Sequence, residues 1–157
     1  MKEVRFFYTP TVSGSLPEDE AKHAVRVLRM KEGDEINLMD GCGTFYRAEI
    51  TTASNHHCLY KIIEEEKQER AWSGNIHLAV APTKLNERIE WLVEKATEIG
   101  VAEFIPLVSE HSERKVIKAE REEKVITAAV KQSLKAYHPH LAELTPFAEV
   151  VARNFTG

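Results

Sequence analysis

Apolar and polar positions follow two different rhythms along this chain, and the change falls near residue 70. Up to there, short runs of β-forming residues are separated by turn residues. Arg5-Phe6-Phe7-Tyr8 is the first, Glu35 to Met39 the second, Thr44 to Thr51 the third and Cys58 to Ile63 the fourth. Alternation with a period of two suits strands with one buried face, and several such strands predict a small barrel or sandwich. Asp40-Gly41-Cys42-Gly43 joins the second and third runs, with two glycines able to take positive φ in a tight hairpin. One helix interrupts the strands. Pro17 suits a first helical position, Glu18, Asp19 and Glu20 complement the helix dipole, and Gly33 ends the segment. Ala21, Ala24, Val25 and Leu28 would face the core.

The charged run Glu64 to Arg70 has no apolar anchor and predicts a linker, which divides the chain into units 1–70 and 71–157. Beyond it the order is strand, helix, strand, helix. Ile76 to Ala81 predicts a strand buried on both faces. Asn86 is the expected N-cap of a helix whose apolar stripe is Leu85, Ile89, Leu92, Val93, Ala96 and Ile99, with Gly100 as a left-handed C-cap. Phe104 to Val108 predicts a second strand, which Pro106 assigns to an end or an edge. A second helix is expected over Ala119 to Tyr137, ahead of Pro139. Strand–helix–strand at this spacing predicts a right-handed parallel crossover. The fold class is therefore α+β, with two domains. Two parallel strands and two helices are few for a whole α/β domain, and Arg153 to Gly157 reads as another element just begun, so the sequence is expected to be a fragment.

Composition narrows the function classes. The 157 residues are 43% apolar and 29% charged, enough for a packed core. The longest uncharged run, Ala71 to Thr83, has 13 residues, short of the roughly 18 a membrane helix needs. The start lacks a signal-peptide pattern, and the two cysteines, Cys42 and Cys58, are too few for a disulfide framework. A cytoplasmic protein is expected. Net charge is −4, with 10 basic and 13 acidic residues in 1–70 (−3) and 11 against 12 in 71–157 (−1). Any contact with nucleic acid must come from a local basic patch.

Three groups of side chains carry candidate chemistry. His23, Arg26 and Arg29 recur every three residues with Lys22 beside them, so on one helix they form a cationic stripe opposite the apolar face. Guanidinium forks match phosphate oxygens, and such a stripe could grip a nucleic-acid backbone. The alternative is a solvated face whose arginines pair with Glu18, Asp19 or Glu32. Lys84, Arg88, Glu90 and Lys95 follow the first strand of the second half, where ligands bind in open α/β sheets; ordinary surface charge is the alternative. Glu110 and His111 stand beyond the next strand, where a His beside carboxylates could do acid–base work or form a solvated loop. His56-His57 and His138-Pro139-His140 match no recognised zinc spacing, so no metal is expected. Trp91 and Phe104 could anchor a protein partner, but the stripe favours core or crossover packing for both. The second half has no Gly-x-Gly-x-x-Gly, no Walker loop and no other cradle for a nucleotide.

Ordered motifs in both halves add to this reading. Arg5-Phe6-Phe7, Glu20-Ala21-Lys22-His23-Ala24-Val25-Arg26-Val27-Leu28-Arg29, Gly33-Asp34 and Asp40-Gly41-Cys42-Gly43 resemble the amino-terminal module of the RsmE family, the 16S ribosomal RNA uracil-N3 methyltransferases. Lys84 to Arg88, then Glu90-Trp91-Leu92-Val93-Glu94-Lys95-Ala96-Thr97-Glu98-Ile99-Gly100-Val101, is similar to its "K…R.EWL..KATELGV" segment. Ile105-Pro106-Leu107 with Glu110 and Ser112 continues the match, and Lys131-Gln132-Ser133 resembles the "EQS" motif. The resemblance runs from about residue 4 to 135.

That resemblance implies a PUA-like RNA-binding β-barrel, then a SPOUT-type α/β domain with a deep trefoil knot that binds S-adenosylmethionine at a homodimer interface. It implies methylation of a uracil N3 in 16S ribosomal RNA of the small ribosomal subunit. Carried onto this chain, Arg5, His23, Arg26 and Arg29 become RNA-contacting candidates, while Lys84, Arg88, Glu110 and Gln132 become a candidate active-site rim. The family's "GPEGG" loop has no counterpart before Gly157, and Lys135 stands near the family's Arg after "EQS". No cofactor-binding or catalytic residue is therefore assigned, and an RNA-binding fragment without catalytic activity is the alternative function.

Overall fold

A computed structural model describes residues 5–54 and 56–155, which divide into two compact units, Met1–Arg70 and Ala71–Gly157. In the first unit, strand β1 (Phe6–Tyr8) is followed by helix α1 (Glu18–Lys22), and then by β2 (Glu35–Met39), β3 (Thr44–Ala53) and β4 (Cys58–Lys67). These strands form one sheet in the order β1-β2-β3-β4. β1 lies parallel to β2, and the other two pairings are antiparallel. Alternation does its expected work: Ile36 and Leu38 of β2, Ala48 and Ile50 of β3, and Cys58 and Tyr60 of β4 are buried with Phe7, Leu16, Ala21 and Ala24 in one core. Gly41 (φ 75°) and Gly43 (φ 109°) make the β2–β3 turn, where the Asp40 carboxylate accepts from the backbone N–H groups of Cys42 and Thr44 at 2.7 and 3.0 Å.

Two expectations for this unit change. The charged run after residue 63 is largely strand, because Glu64 to Lys67 continue the β4 ladder opposite Arg47 to Thr44. A bulge at Ile63 keeps Ile62 packed against the core while Ile63 is exposed. The predicted helix over 17–33 is far shorter. After α1 the chain passes into a π-helical turn, His23–Val27, and Arg29 takes a left-handed φ of 55°. The wider turn adds a residue to the repeat. Ala21 and Ala24 stay buried, Val25 and Leu28 pack partly on the core, and Val27 is left exposed.

The second unit holds β5 (His77–Val80), α2 (Asn86–Ile99), β6 (Glu103–Val108), α3 (Ala119–Gln132), β7 (His140–Leu141), β8 (Thr145–Pro146) and α4 (Phe147–Ala152). β6 is central: β5 runs parallel on one side, and β7 and then β8 run parallel on the other. α2 packs on α3, with Ile89, Val93 and Ala96 buried on one helix and Ile126, Ala129 and Val130 on the other.

Several boundaries move for identifiable reasons. β5 alternates between exposed and half-buried residues instead of burying both faces; among the described residues it pairs with β6 alone. Asn86 is the first residue of α2 and caps nothing; Leu85 occupies the N-cap, with no side-chain cap bond. Pro106 is buried inside the central strand, not at an edge. It lies where β6 has passed β7, paired at Glu103 and Phe104, and has not yet reached β8, paired at Leu107 and Val108. Its missing N–H therefore falls beside a gap in that ladder. α3 stops at Gln132, where Ser133 is the C-cap and Leu134 turns left-handed at φ 53° and is exposed, five residues before Pro139. Phe104 is core, whereas Trp91 is 62% exposed, so the core assignment of Trp91 is wrong. β7, β8 and α4 had no periodic signal, being two to six residues long. Arg153 to Phe155 form no regular element, and 156–157 lie outside the described residues.

Gly100 ends α2 as expected, at φ 108°, with its N–H bonded to the carbonyls of Ala96 and Thr97. The Trp72 indole N–H donates to the Gly100 carbonyl at 3.3 Å, and a Cβ on Gly100 would stand 3.1 Å from that nitrogen. Gly100→Ala should therefore destabilise the fold by about 1–2 kcal/mol, read as a lower urea midpoint with an unchanged slope. Wild-type stability would show that residue 100 escapes its left-handed conformation.

Candidate functional site

In the first unit, the short π turn decides which cations share a surface. His23 and Arg26 lie on the turn and Arg29 just beyond it, so they do not form one straight helical stripe. All three are exposed, as is Arg5 ahead of β1. The His23 ring stands edge-on to Phe7 of β1, with centroids 6.2 Å apart. Pairing of the arginines with Glu18, Asp19 or Glu32 is not found. Glu18 is taken by Lys22 at 2.6 Å, which lowers the Glu18 carboxyl below its usual range. Arg47 is instead locked across three strands, with Nη1 3.2 Å from Glu35 and Nη2 2.9 Å from Glu64. Sequence inspection missed that neutralised cation, because cross-strand register is needed to see it.

In the second unit, Lys84 and Arg88 flank the start of α2, beyond the carboxyl end of β5, and both are exposed. Glu110 and His111 are exposed beyond β6, in a turn where Ser112 Oγ accepts from the Ser109 N–H at 2.8 Å. These four occupy the carboxyl ends of two adjacent parallel strands. Gln132 does not join them: it closes α3 (14 residues), roughly 20 Å along the axis from the helix start. Glu90 pairs with Arg121 of α3, Nε to Oε1 2.6 Å, and not within its own helix. Lys95 bridges Glu94 and Glu98 at 2.7 and 2.9 Å, which offsets their like charge.

Glu122, in the first turn of α3, is a buried carboxylate that no pattern in the sequence marks. Burial, and then Glu90, push its carboxyl above the usual range, against the pull of Arg121 and Arg114. Among the described residues no three His, Cys, Asp or Glu side chains gather as a metal site, and no helix is long and apolar enough to cross a membrane.

The comparisons with known proteins decide the family. Residues 70–156, more than half the chain, match the RNA methyltransferase domain model. The chain belongs to the RNA methyltransferase family. Residues 16–64 match the RNA methyltransferase PUA domain, so the first unit's sheet is PUA-like and the parallel unit is the methyltransferase fold. Ribosomal RNA small subunit methyltransferase E of Bacillus subtilis (strain 168) is 28% identical over 145 residues, covering 88% of this chain and 56% of that protein. A probable rRNA-methyltransferase from Porphyromonas gingivalis superposes with a TM-score of 0.89 at 45% identity, over 97% of this chain and 65% of that one. The Neisseria gonorrhoeae ribosomal RNA small subunit methyltransferase E bound to S-adenosyl methionine shares the fold, with a TM-score of 0.85 at 23% identity, over 98% of this chain and 67% of that one. The chain thus spans between 56% and 67% of the length of these three relatives.

The thiols of this family member differ sharply. Burial pushes the Cys58 thiol up, while Cys42 is exposed at the β2–β3 turn. At pH 8 an aromatic disulfide reagent should modify Cys42 in the native protein, and Cys58 only after denaturation. Fast native modification of Cys58 would mean that the first unit's core opens readily.

Proposed function

We propose that this chain is the RNA-holding and substrate-positioning part of a ribosomal RNA methyltransferase that methylates N3 of a uracil in 16S ribosomal RNA. The small ribosomal subunit would be its partner, and S-adenosylmethionine the methyl donor. The observation that carries the RNA reading is that two exposed guanidiniums, Arg26 and Arg29, have no ion-pair partner among the described residues, on a unit of net negative charge that matches an RNA methyltransferase PUA domain. Cations left unneutralised in an acidic unit are available to phosphate. His23 stands beside them, and Arg5 belongs to the same unit.

Lys84, Arg88 and Glu110 form the proposed rim, without Gln132. Uracil N3 is a weak acid on the Watson–Crick edge, so its base must leave its stack and lose a proton before it can accept a methyl group. Positive charge from Lys84 and Arg88 favours the uracil anion. The donor supplies the electrophilic methyl group when bound. The described loops beyond β5 and β6 offer Pro82, Thr83 and Lys84, and Ser109, Glu110 and His111, and hold no glycine that would let a nucleoside approach the backbone closely. They do not by themselves fit as a cofactor cradle. Homodimer assembly and a cytoplasmic setting belong to the same reading.

The second reading, an RNA-binding chain without activity of its own, is favoured by that lack of a cradle. Labelled S-adenosylmethionine titrated into the 157-residue chain, and into any longer product of its gene, separates the two. Saturable binding by the short chain supports an enzyme; binding by the longer product alone supports the second reading.

Charge reversal at Arg26 and Arg29 should weaken binding to a small-subunit ribosomal RNA fragment and reduce the log–log salt slope by about 1–2. Unchanged affinity and slope would remove this patch from RNA recognition.

A further inference from the structure

The parallel sheet of the second unit brings two loops together at its carboxyl edge, residues 81–85 before α2 and 109–118 before α3. Each loop is ordered by short-range bonds of its own. Thr83 Oγ1 donates to the Leu85 carbonyl at 3.0 Å. The Ser112 N–H donates to the Ser109 carbonyl at 3.1 Å, and the Ser109 N–H to Ser112 Oγ at 2.8 Å. One side chain joins the two loops: Arg114 Nη2 donates to the backbone carbonyl of Lys84 at 3.1 Å. Arg114 is half-buried, and its other N–H groups meet no acceptor among the described residues. No carboxylate among those residues forms an ion pair with it, and Glu122 feels its charge only from beyond that distance.

Cations nearby are treated differently. Lys95 is paired with Glu94 and Glu98, and Arg121 with Glu90. Lys84 and Arg88, at the carboxyl edge, are exposed and have no ion-pair partner among the described residues. The segments 81–88 and 109–118 each carry a formal charge of +1, whereas the unit as a whole carries −1. A guanidinium that has met one carbonyl and no carboxylate still presents N–H groups to a ligand oxygen, and its fork fits the two free oxygens of a phosphodiester. The bond to Lys84 fixes that fork beforehand, so less side-chain freedom is lost on binding. We propose that Arg114 is a phosphate-binding residue of the rim, gripping the RNA backbone beside the nucleotide presented to Lys84 and Arg88. This assignment rests on the function proposed above and adds to it a contact that carries no base preference.

Salt dependence separates a phosphate contact from a loop tie. In the 157-residue chain, Arg114→Gln should lower affinity for the small-subunit ribosomal RNA fragment about fivefold. It should also reduce the log–log salt slope by about 0.7, the share of one phosphate on a single strand. Arg114→Lys keeps the charge and loses the fork, so its slope should stay at the wild-type value while affinity falls about two- to threefold. A residue that only tied the loops would make the two variants alike. Equal slopes in both variants, or wild-type affinity in Arg114→Gln, overturn the assignment. If a collapsed urea midpoint shows that Arg114→Gln does not fold, Arg114→Lys decides: weaker binding at the wild-type slope supports the contact, and unchanged binding overturns it. A wild-type chain that binds no RNA sinks the proposed function and this contact together. Wild-type binding that Arg114→Gln leaves untouched sinks the contact alone.

Discussion

The central place of β6 is the constraint on which the second unit depends. Phe104, Ile105 and Pro106 are buried, with β5 pairing along one side of the strand and β7 and β8 sharing the other. Parallel strands joined by a helix start each helix at the carboxyl ends of the strands, so the loops before α2 and α3 must emerge side by side. Lys84 and Arg114 meet for that reason. Gln132 is carried away for the same reason, because a helix that starts at one end of the sheet finishes at the other.

The first unit follows a different logic. Its sheet turns one face to a core of Phe7, Leu16, Ile36, Leu38, Ile50 and Tyr60, and part of it is covered by Ala21 of α1 and Ala24 of the π turn. The helix is five residues long and yields to a π turn, which lets Val25 and Leu28 reach the core while Arg26 and Arg29 stay in water. A regular α-helix to Gly33 would have projected His23, Arg26 and Arg29 in line. The observed break spreads them over the turn and the bend that follows.

Charge in both units is arranged by neutralisation as much as by exposure. Arg47 lies amid glutamates and is spent on two of them, and Lys95 is spent on Glu94 and Glu98. Exposed pairs of this kind contribute little to stability, typically below about 1 kcal/mol each. Their consequence is subtraction, since they take cations out of the set left without a counter-charge. The buried Glu122 is a different case: its Oε2 has no hydrogen-bond partner among the described residues, and burial pushes its carboxyl above the usual range.

Local rules in the sequence determined the kind and order of most elements. The period-two runs became β1 to β4, the 3.6-residue stripes became α2 and α3, Gly100 stopped a helix, and the glycines of residues 40–43 turned a hairpin. Family motifs spread over both halves were legible as well, because they are strings of residues rather than contacts. Whatever depends on partners distant in sequence was settled only in three dimensions. The strand continuing through Glu64 to Lys67 needed the β3 ladder opposite it, and Pro106 in a central strand needed a gap between two neighbours. The exposure of Trp91 and the burial of Glu122 reverse what their residue types suggest, since a periodic stripe gives a direction around a helix and not what stands there. Periodicity reports the angle at which a side chain leaves its own helix or strand. Burial, pairing and charge are set by the element it meets, and that element is chosen by the tertiary fold.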